Sequence, residues 1–241
     1  AFESGPVRPM AMSVDGTQLF VTNIPDNRLE IFDVTASGLA HSGSVPVGME
    51  PVSVAVRSPS EVWVANHLSD SVSIIDLSAT PPQVVRTLIV GDEPRDIVFG
   101  GVGGNRAFIT TAHRGQQRTN STISGVNGAG NPQLRVPGVP RADVWIFDAT
   151  SLGHLLGGTP HRIISFFADT PRGLAVSPDG NTIYAAAFRS GNRTTVIPEQ
   201  AVPDGFAGAG PGGGAPGGLL GPSDNFAGDP APETGIIVGF N

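Results

Sequence analysis

Pro51-Val52-Ser53-Val54-Ala55-Val56 is followed by Val62-Trp63-Val64-Ala65-Asn66, then by Val72-Ser73-Ile74-Ile75-Asp76, and the stretch closes on Val90-Gly91-Asp92-Glu93-Pro94. The three apolar runs are short, rich in β-branched residues and bounded by Ser, Pro and Asp, the pattern of strands joined by turns rather than of a helix. The same order recurs along the chain. Prolines at Pro9, Pro51, Pro94 and Pro171 open successive units, with steps of 42, 43 and 77 residues, the last being one period plus an insertion of 34. After each proline comes a strand-like run: Met10 to Val14, Val52 to Val56, Arg95 to Phe99 and Arg172 to Val176.

Asp15-Gly16 in the first unit and Asp179-Gly180 in the last mark the next turn, because Asp-Gly accepts the positive φ that tight hairpins demand. Second strands follow at Leu19 to Asn23, Val62 to Asn66, Ala107 to Thr111 and Ile183 to Ala187. Third strands end on an acid or its amide at Asp33, Asp76, Asp148 and Asn241. A period in the low forties with four short strands per unit predicts an all-β fold, a β-propeller with about four visible blades. The blades fall at about 6–45, 46–90, 91–167 and 168–241, with residues 1–5 as the outer strand of a preceding or closing blade. The third carries an insertion over 112–141 and the fourth a Gly/Pro-rich one over 188–233.

Phe20-Val21-Thr22-Asn23 and Trp63-Val64-Ala65-Asn66, each followed by an apolar strand ending in Asp and by a Val-Gly-x-x-Pro link, resemble the YVTN family of propeller repeats. In the third and fourth units the asparagine gives way to Thr111 and Ala187. Two further segments, Thr111-Ala112-His113-Arg114-Gly115 and Ala142-Asp143-Val144-Trp145-Ile146-Phe147-Asp148, resemble long bacterial proteins, some of which carry a c-type haem domain after the propeller. The resemblance implies a role beside electron transfer. One propeller scaffold hosts unrelated activities, so the repeat speaks to fold and not to chemistry.

Composition narrows the classes. With 39% hydrophobic and 15% charged residues over 241 positions, the chain can bury a core. No apolar run approaches the roughly 18 residues of a membrane-spanning helix. The net charge of −7 offers no broad cationic surface, which argues against nucleic acid. All the bases are arginine, and no cysteine is present, so the chain holds no disulfide, no thiol nucleophile and no C-x-x-C-H haem attachment. Low charge, 33 glycines and 22 prolines fit an exported protein, extracellular, at the cell surface or periplasmic. Ala1 in first place suits a processed product or an internal fragment. An unfinished last blade favours part of a larger propeller of the seven-bladed type over a closed ring of four. The missing remainder of the ring, or another protein chain, would then cover the open blade faces.

Propeller topology sends the links into first strands, and the loops between second and third strands, to one face. There His113, Arg114 and Arg118 supply a titratable group and anion-directed forks. Arg95 and Arg172, each directly after its proline, start inner strands on this face. They either point into the channel as ligand-binding residues or pair with Asp92, Glu93 or Asp169. The histidines lack the spacing of a zinc site. Asp204, Asp224, Asp229 and Glu233 could take calcium, without the spacing of an EF-hand. Gly100-Gly101-Val102-Gly103-Gly104 lacks the Lys-Ser/Thr of a phosphate loop and stands where other blades have their Asp-Gly turn. Two functional classes follow: a binding or scaffold module, or an enzyme of lactonase or quinoprotein type with its site at the mouth of the ring.

Overall fold

The computed structural model describes residues 5–113, 142–166, 168–190, 194–198 and 235–239. Strands β1 (Met10–Met12), β2 (Gln18–Asn23), β3 (Arg28–Thr35) and β4 (Gly38–Pro46) form the first blade, each paired antiparallel with the next. The second blade is β5 (Pro51–Ser58), β6 (Glu61–Asn66), β7 (Ser71–Asp76) and β8 (Gln83–Ile89). The third is β9 (Pro94–Gly100), β10 (Arg106–Thr111), β11 (Ala142–Asp148) and β12 (Arg162–Phe166). The fourth unit differs: β13 (Ala168–Val176) pairs with β14 (Ile183–Ser190), while β15 (Thr194–Pro198) and β16 (Gly235–Gly239) make a separate hairpin. The segment read as a third strand at the end of the chain therefore pairs with β15 rather than with β14. The architecture is of the β-propeller type.

Local chemistry fixes the hairpins. Asp15 accepts hydrogen bonds from Ser13 Oγ, Thr17 N and Thr17 Oγ1 at 2.7, 3.1 and 2.8 Å, and Gly16 supplies a φ of 74°. Those donors hold the Asp15 carboxyl down to about 2. Asp179 and Gly180 repeat the arrangement in the last unit. The third blade uses a short 3-10 turn, Val102–Gly104, whose Gly101 N donates to Gly180 O at 2.8 Å. A Cβ on Gly100 would stand 2.6 Å from Ile183 Cδ1 and 3.2 Å from Gly180 O, so glycine there eases the close approach of the β13–β14 hairpin to the third blade.

Alternation along β6 explains how one blade serves two neighbours. Val62 and Val64 face the first blade, where Phe20, Leu29, Ile31 and Val45 meet them, while Trp63 and Ala65 face the third, against Ile97, Ile109 and Phe147. Trp63 is fully buried, meets Phe99 edge-on at 5.3 Å between ring centroids, and donates from Nε1 to Glu61 Oε1. Trp145, 1% exposed, lies 6.4 Å from Phe147 in a stacked arrangement. At the outer edge, Arg86 of β8 donates to Gly153 O and Leu155 O of the β11–β12 loop at 3.0 and 2.6 Å, and Ile89 N donates to Gly157 O.

At the centre stands Asp96, with no exposed surface. Arg8 donates to its two oxygens at 3.1 and 3.2 Å and also to Leu174 O at 3.0 Å. Ser53 Oγ, Ile97 N and Leu174 N complete its shell, each at 2.9 Å. One carboxylate thus joins the segment before β1 to β5, β9 and β13. Its hydrogen bonds raise the Arg8 pKa against the opposing effect of partial burial.

Two substitutions test this construction. Trp63→Ala opens a cavity between the second and third blades and is expected to cost about 3–5 kcal/mol in chemical denaturation. Asp96→Ala leaves the Leu174 amide and the Arg8 guanidinium without their acceptor, and should cost about 3 kcal/mol or more. A loss below about 1 kcal/mol for Asp96→Ala would show that the axial contacts rearrange freely.

Candidate functional site

The links and the β2–β3-type loops meet on one face through a backbone pattern that is repeated. Between the first and second blades, Val47 N donates to Asn27 O, Glu50 N to Asn27 Oδ1, His67 N to Glu50 O and Leu68 N to Met49 O. Between the second and third, Val90 N donates to Asp70 O, Glu93 N to Asp70 Oδ1, Ala112 N to Glu93 O and His113 N to Asp92 O. Asn27, Asp70, Glu50 and Glu93 all have positive φ, between 48° and 56°. Two of them precede proline, a costly backbone that persists only because these bonds hold the corner from both sides. A Cβ on Gly48 would lie 2.6 Å from Asn66 and Ser69, which accounts for the glycine of that link.

The two junctions share this backbone and differ in chemistry. Equivalent positions read Asn27, Met49, Val52 and Leu68 at the first junction, and Asp70, Asp92, Arg95 and His113 at the second. Met49 and Leu68 are an exposed apolar pair, whereas His113 Nδ1 lies 3.3 Å from Asp92 Oδ2. Val52 and Arg95 occupy the same β-bulge: Ala65 and Asn66 stand opposite Ser53 and Pro51, and Thr110 and Thr111 opposite Asp96 and Pro94. Arg95 is 5% exposed and reaches Glu93 Oε2 at 3.3 Å, while its Nε is buried with no hydrogen-bond partner among the described residues. Thr111 Oγ1 is in the same condition.

The electrostatics follow from this crowding. Burial pushes the Asp70 carboxyl up, and the charges of Asp92 and Glu93 add to it, against the bond from Glu93 N. His113 holds Asp92 below the usual carboxylate range. Buried His67 is a further neighbour of both acids.

Of the residues the sequence singled out, the structure brings His113 and Arg95 to this one junction. Arg172 enters through its backbone, its carbonyl accepting from Thr110 Oγ1 at 2.9 Å, while its guanidinium donates to Gly5 O at 2.8 Å. Arg114, Arg118, Asp204, Asp224, Asp229 and Glu233 lie outside the described residues. Asp70, Asp92 and Asp96 were not singled out as site residues. An alignment of the two links would have exposed Asp92 against Met49, and Asp70 against Asn27, as departures from the repeat. Among the described residues no group of three or more His, Asp or Glu is placed to hold a metal ion, and no helix is long and apolar enough to cross a membrane. On the opposite face, an open groove of about 500 Å³ is lined by Asp148, Ser151, His154, Leu155, Thr159 and His161. Its Asp148 is held by Arg106 and Thr150.

No protein-family model matches the chain, and no curated protein matches its sequence. Solved structures share the fold. The hydrazine synthase of Kuenenia stuttgartiensis superposes with a TM-score of 0.55 at 22% identity, over 82% of this chain and 47% of that one. A "putative 6-phosphogluconolactonase" of Bacteroides uniformis gives 0.53 at 14%, over 81% and 55%. A functionally unknown protein of Desulfotomaculum acetoxidans gives 0.50 at 15%, over 78% and 52%. This chain spans about half the length of each.

Asp70→Asn offers a test of the junction's electrostatics. Asparagine keeps the cap on Glu93 N, as Asn27 does on Glu50 N. Because the folded-state pKa of Asp70 is raised, ionising it costs stability above that pKa, and the cost vanishes as pH falls towards the unfolded value of about 3.9. The variant should melt about 1–3 °C higher at pH 7 and show no advantage near pH 4. Equal or lower stability at pH 7 would mean that the acid is compensated by groups facing it.

Proposed function

We propose that the chain is a binding or scaffold propeller of the YVTN-repeat kind, exported to the cell surface or periplasm, with its ligand contact at the junction of the second and third blades. One observation carries this reading: two junctions with the same backbone bonds differ at four equivalent positions, neutral or apolar in one (Asn27, Met49, Val52, Leu68) and titratable or charged in the other (Asp70, Asp92, Arg95, His113). Asp70 and a buried Arg95 whose Nε has no partner among the described residues both weigh against stability where Asn27 and Val52 of the first junction would not. Residues that break the local rule at such a cost are the mark of a working surface. The paired acid and base, Asp92 and His113, suit a polar ligand carrying both a donor and an acceptor. The composition supports export, and the likeness to haem-bearing bacterial proteins supports a place beside electron transfer, with haem carried by another segment or partner.

An enzyme at the ring mouth is the second reading, favoured by the names of two similar structures, a hydrazine synthase and a 6-phosphogluconolactonase assignment. Grafting the first junction onto the second by Asp92→Met and His113→Leu separates the two. The backbone bonds remain, so melting should move by no more than a few degrees. Native mass spectrometry of the isolated protein should show a small ligand or haem-bearing partner retained by the wild type and lost from the double variant. Hydrolysis of 6-phosphogluconolactone by the wild type, abolished in the variant, would instead establish the enzyme.

A further inference from the structure

The buried side chains of the two junctions differ as their exposed ones do. At the first, Asn66 lies across from Ser71 and Val64 from Ser73; Asn66 Nδ2 donates to the two serine hydroxyls at 3.2 and 3.0 Å, and Gly48 N donates to Ser73 Oγ at 3.3 Å. Its donors are used, and the atom left over is an acceptor, Asn66 Oδ1. At the second, the same register sets Thr111 across from Asp143 and Ile109 across from Trp145, so Thr111, Asp143 and Trp145 share the face turned to the second blade. Arg95 is the extra residue of the bulge beside Thr111. Here three atoms that can donate, Arg95 Nε, Trp145 Nε1 and Thr111 Oγ1, are buried with no hydrogen-bond partner among the described residues. Arg95 is 5% exposed, and Thr111 has no exposed surface. Buried donors as a rule meet an acceptor, so this corner suits a ligand that brings one.

We propose that the ligand of this junction is a free α-amino acid, its carboxylate taken by Arg95 and Thr111 and its ammonium by Asp70 and Asp92; the inference rests on the reading of this junction as the ligand contact. Charge decides among small ligands. Asp70, Asp92, Glu93 and the buried Asp143 stand here against Arg95 and two histidines, His67 and His113. A simple anion would add to four carboxylates, and a simple cation would stand beside a buried guanidinium. A zwitterion brings no net charge and gives each side its opposite. The two ends of the site lie close together: Asp70 Oδ1 accepts from Glu93 N at 3.1 Å, and Glu93 Oε2 accepts from Arg95 Nη2 at 3.3 Å, so carboxylate and guanidinium are joined through one residue. In an α-amino acid a single carbon separates the two charged groups. A carboxylate can take Arg95 Nε and an Nη together, in two parallel bonds. Asp70, pushed up by burial and by the neighbouring acids, gains a counter-charge in the ammonium. The half-exposed side chains of Asp92 and His113 give the way in from the mouth.

Thermal melting of the natively isolated, dialysed protein with each common α-amino acid in turn, at millimolar concentration, tests the proposal. At least one should raise the melting temperature, and calorimetric titration then gives its affinity. The α-amide of that amino acid, which lacks the carboxylate, and the matching acid without the amino group should each bind at least about tenfold more weakly. Arg95→Val, which installs the residue of the first junction, should bind the amino acid at least about tenfold more weakly and keep its β-type circular dichroism. Should that variant lose its fold, Thr111→Val takes its place, with an expected loss of about threefold to tenfold. Asp70→Asn should weaken binding by a similar factor through the ammonium end. No shift with any amino acid, an amide that binds as well as the acid, or affinity unchanged in Arg95→Val or Thr111→Val would each overturn the proposal. The broader reading fails separately: a native ligand lost on Asp92→Met with His113→Leu, in a protein that binds no amino acid, keeps the junction as the contact and removes the zwitterion.

Discussion

Asp96 is the constraint on which the rest depends. A carboxylate removed from water is tolerable only when its lone pairs are filled, and the fold fills them from four places in the chain: Arg8, Ser53, its own strand at Ile97, and Leu174. Apart from Ile97 N, these donors can be supplied only when the segment before β1 and the inner strands of successive blades converge. Blade stacking brings apolar faces together without fixing their angle, because hydrophobic contact has no direction. Hydrogen bonds to a single buried carboxylate do fix it. Thr110 Oγ1, which accepts from Asp96 N and donates to Arg172 O, extends the same control to the next strand pair.

The mouth face shows how a repeat acquires individuality without losing its frame. Backbone bonds carry the geometry of the corners at Glu50 and Glu93, so the exposed side chains of Met49 and Leu68 are released from structural duty. Their counterparts Asp92 and His113 exploit that release. At the equivalent bulge positions Arg95 and Val52 are both buried, 5% and 3% exposed. Among the described residues the buried Arg95 guanidinium has one hydrogen bond, to Glu93 at 3.3 Å, which offsets little of a desolvation that valine would not incur.

Much of the fold was legible because it is local. Proline spacing marked the units, Asp15-Gly16 and Asp179-Gly180 marked their turns, and Val, Ile and Trp at alternate positions marked strands covered on both sides. The candidate site was legible in part. Histidine and arginine at His113 and Arg95 draw attention as residue types, and topology placed their loops on one face. Asp96 escaped notice because a polar residue two places after a proline reads as any half-exposed strand position, and its partner Arg8 is 88 residues away. The pairing of β15 with β16 was hidden for a similar reason: a strand read by spacing from the previous one says nothing about a closer partner across an insertion.

Arg86 and the loop it grips give the molecule a second tie, far from the axis. The bonds from Arg86 to Gly153 and Leu155, with that from Ile89 to Gly157, join the second and third blades at their circumference, while Asp96 joins them at the hub. A wheel braced only at its hub lets its sectors fan under a sideways load. Bracing at both radii means that shearing these blades apart loads two sets of hydrogen bonds at once, and strands pulled side by side share force rather than passing it from one bond to the next. The second and third blades are accordingly tied to each other at two radii, so that neither can turn against the other without breaking bonds at the hub or at the circumference.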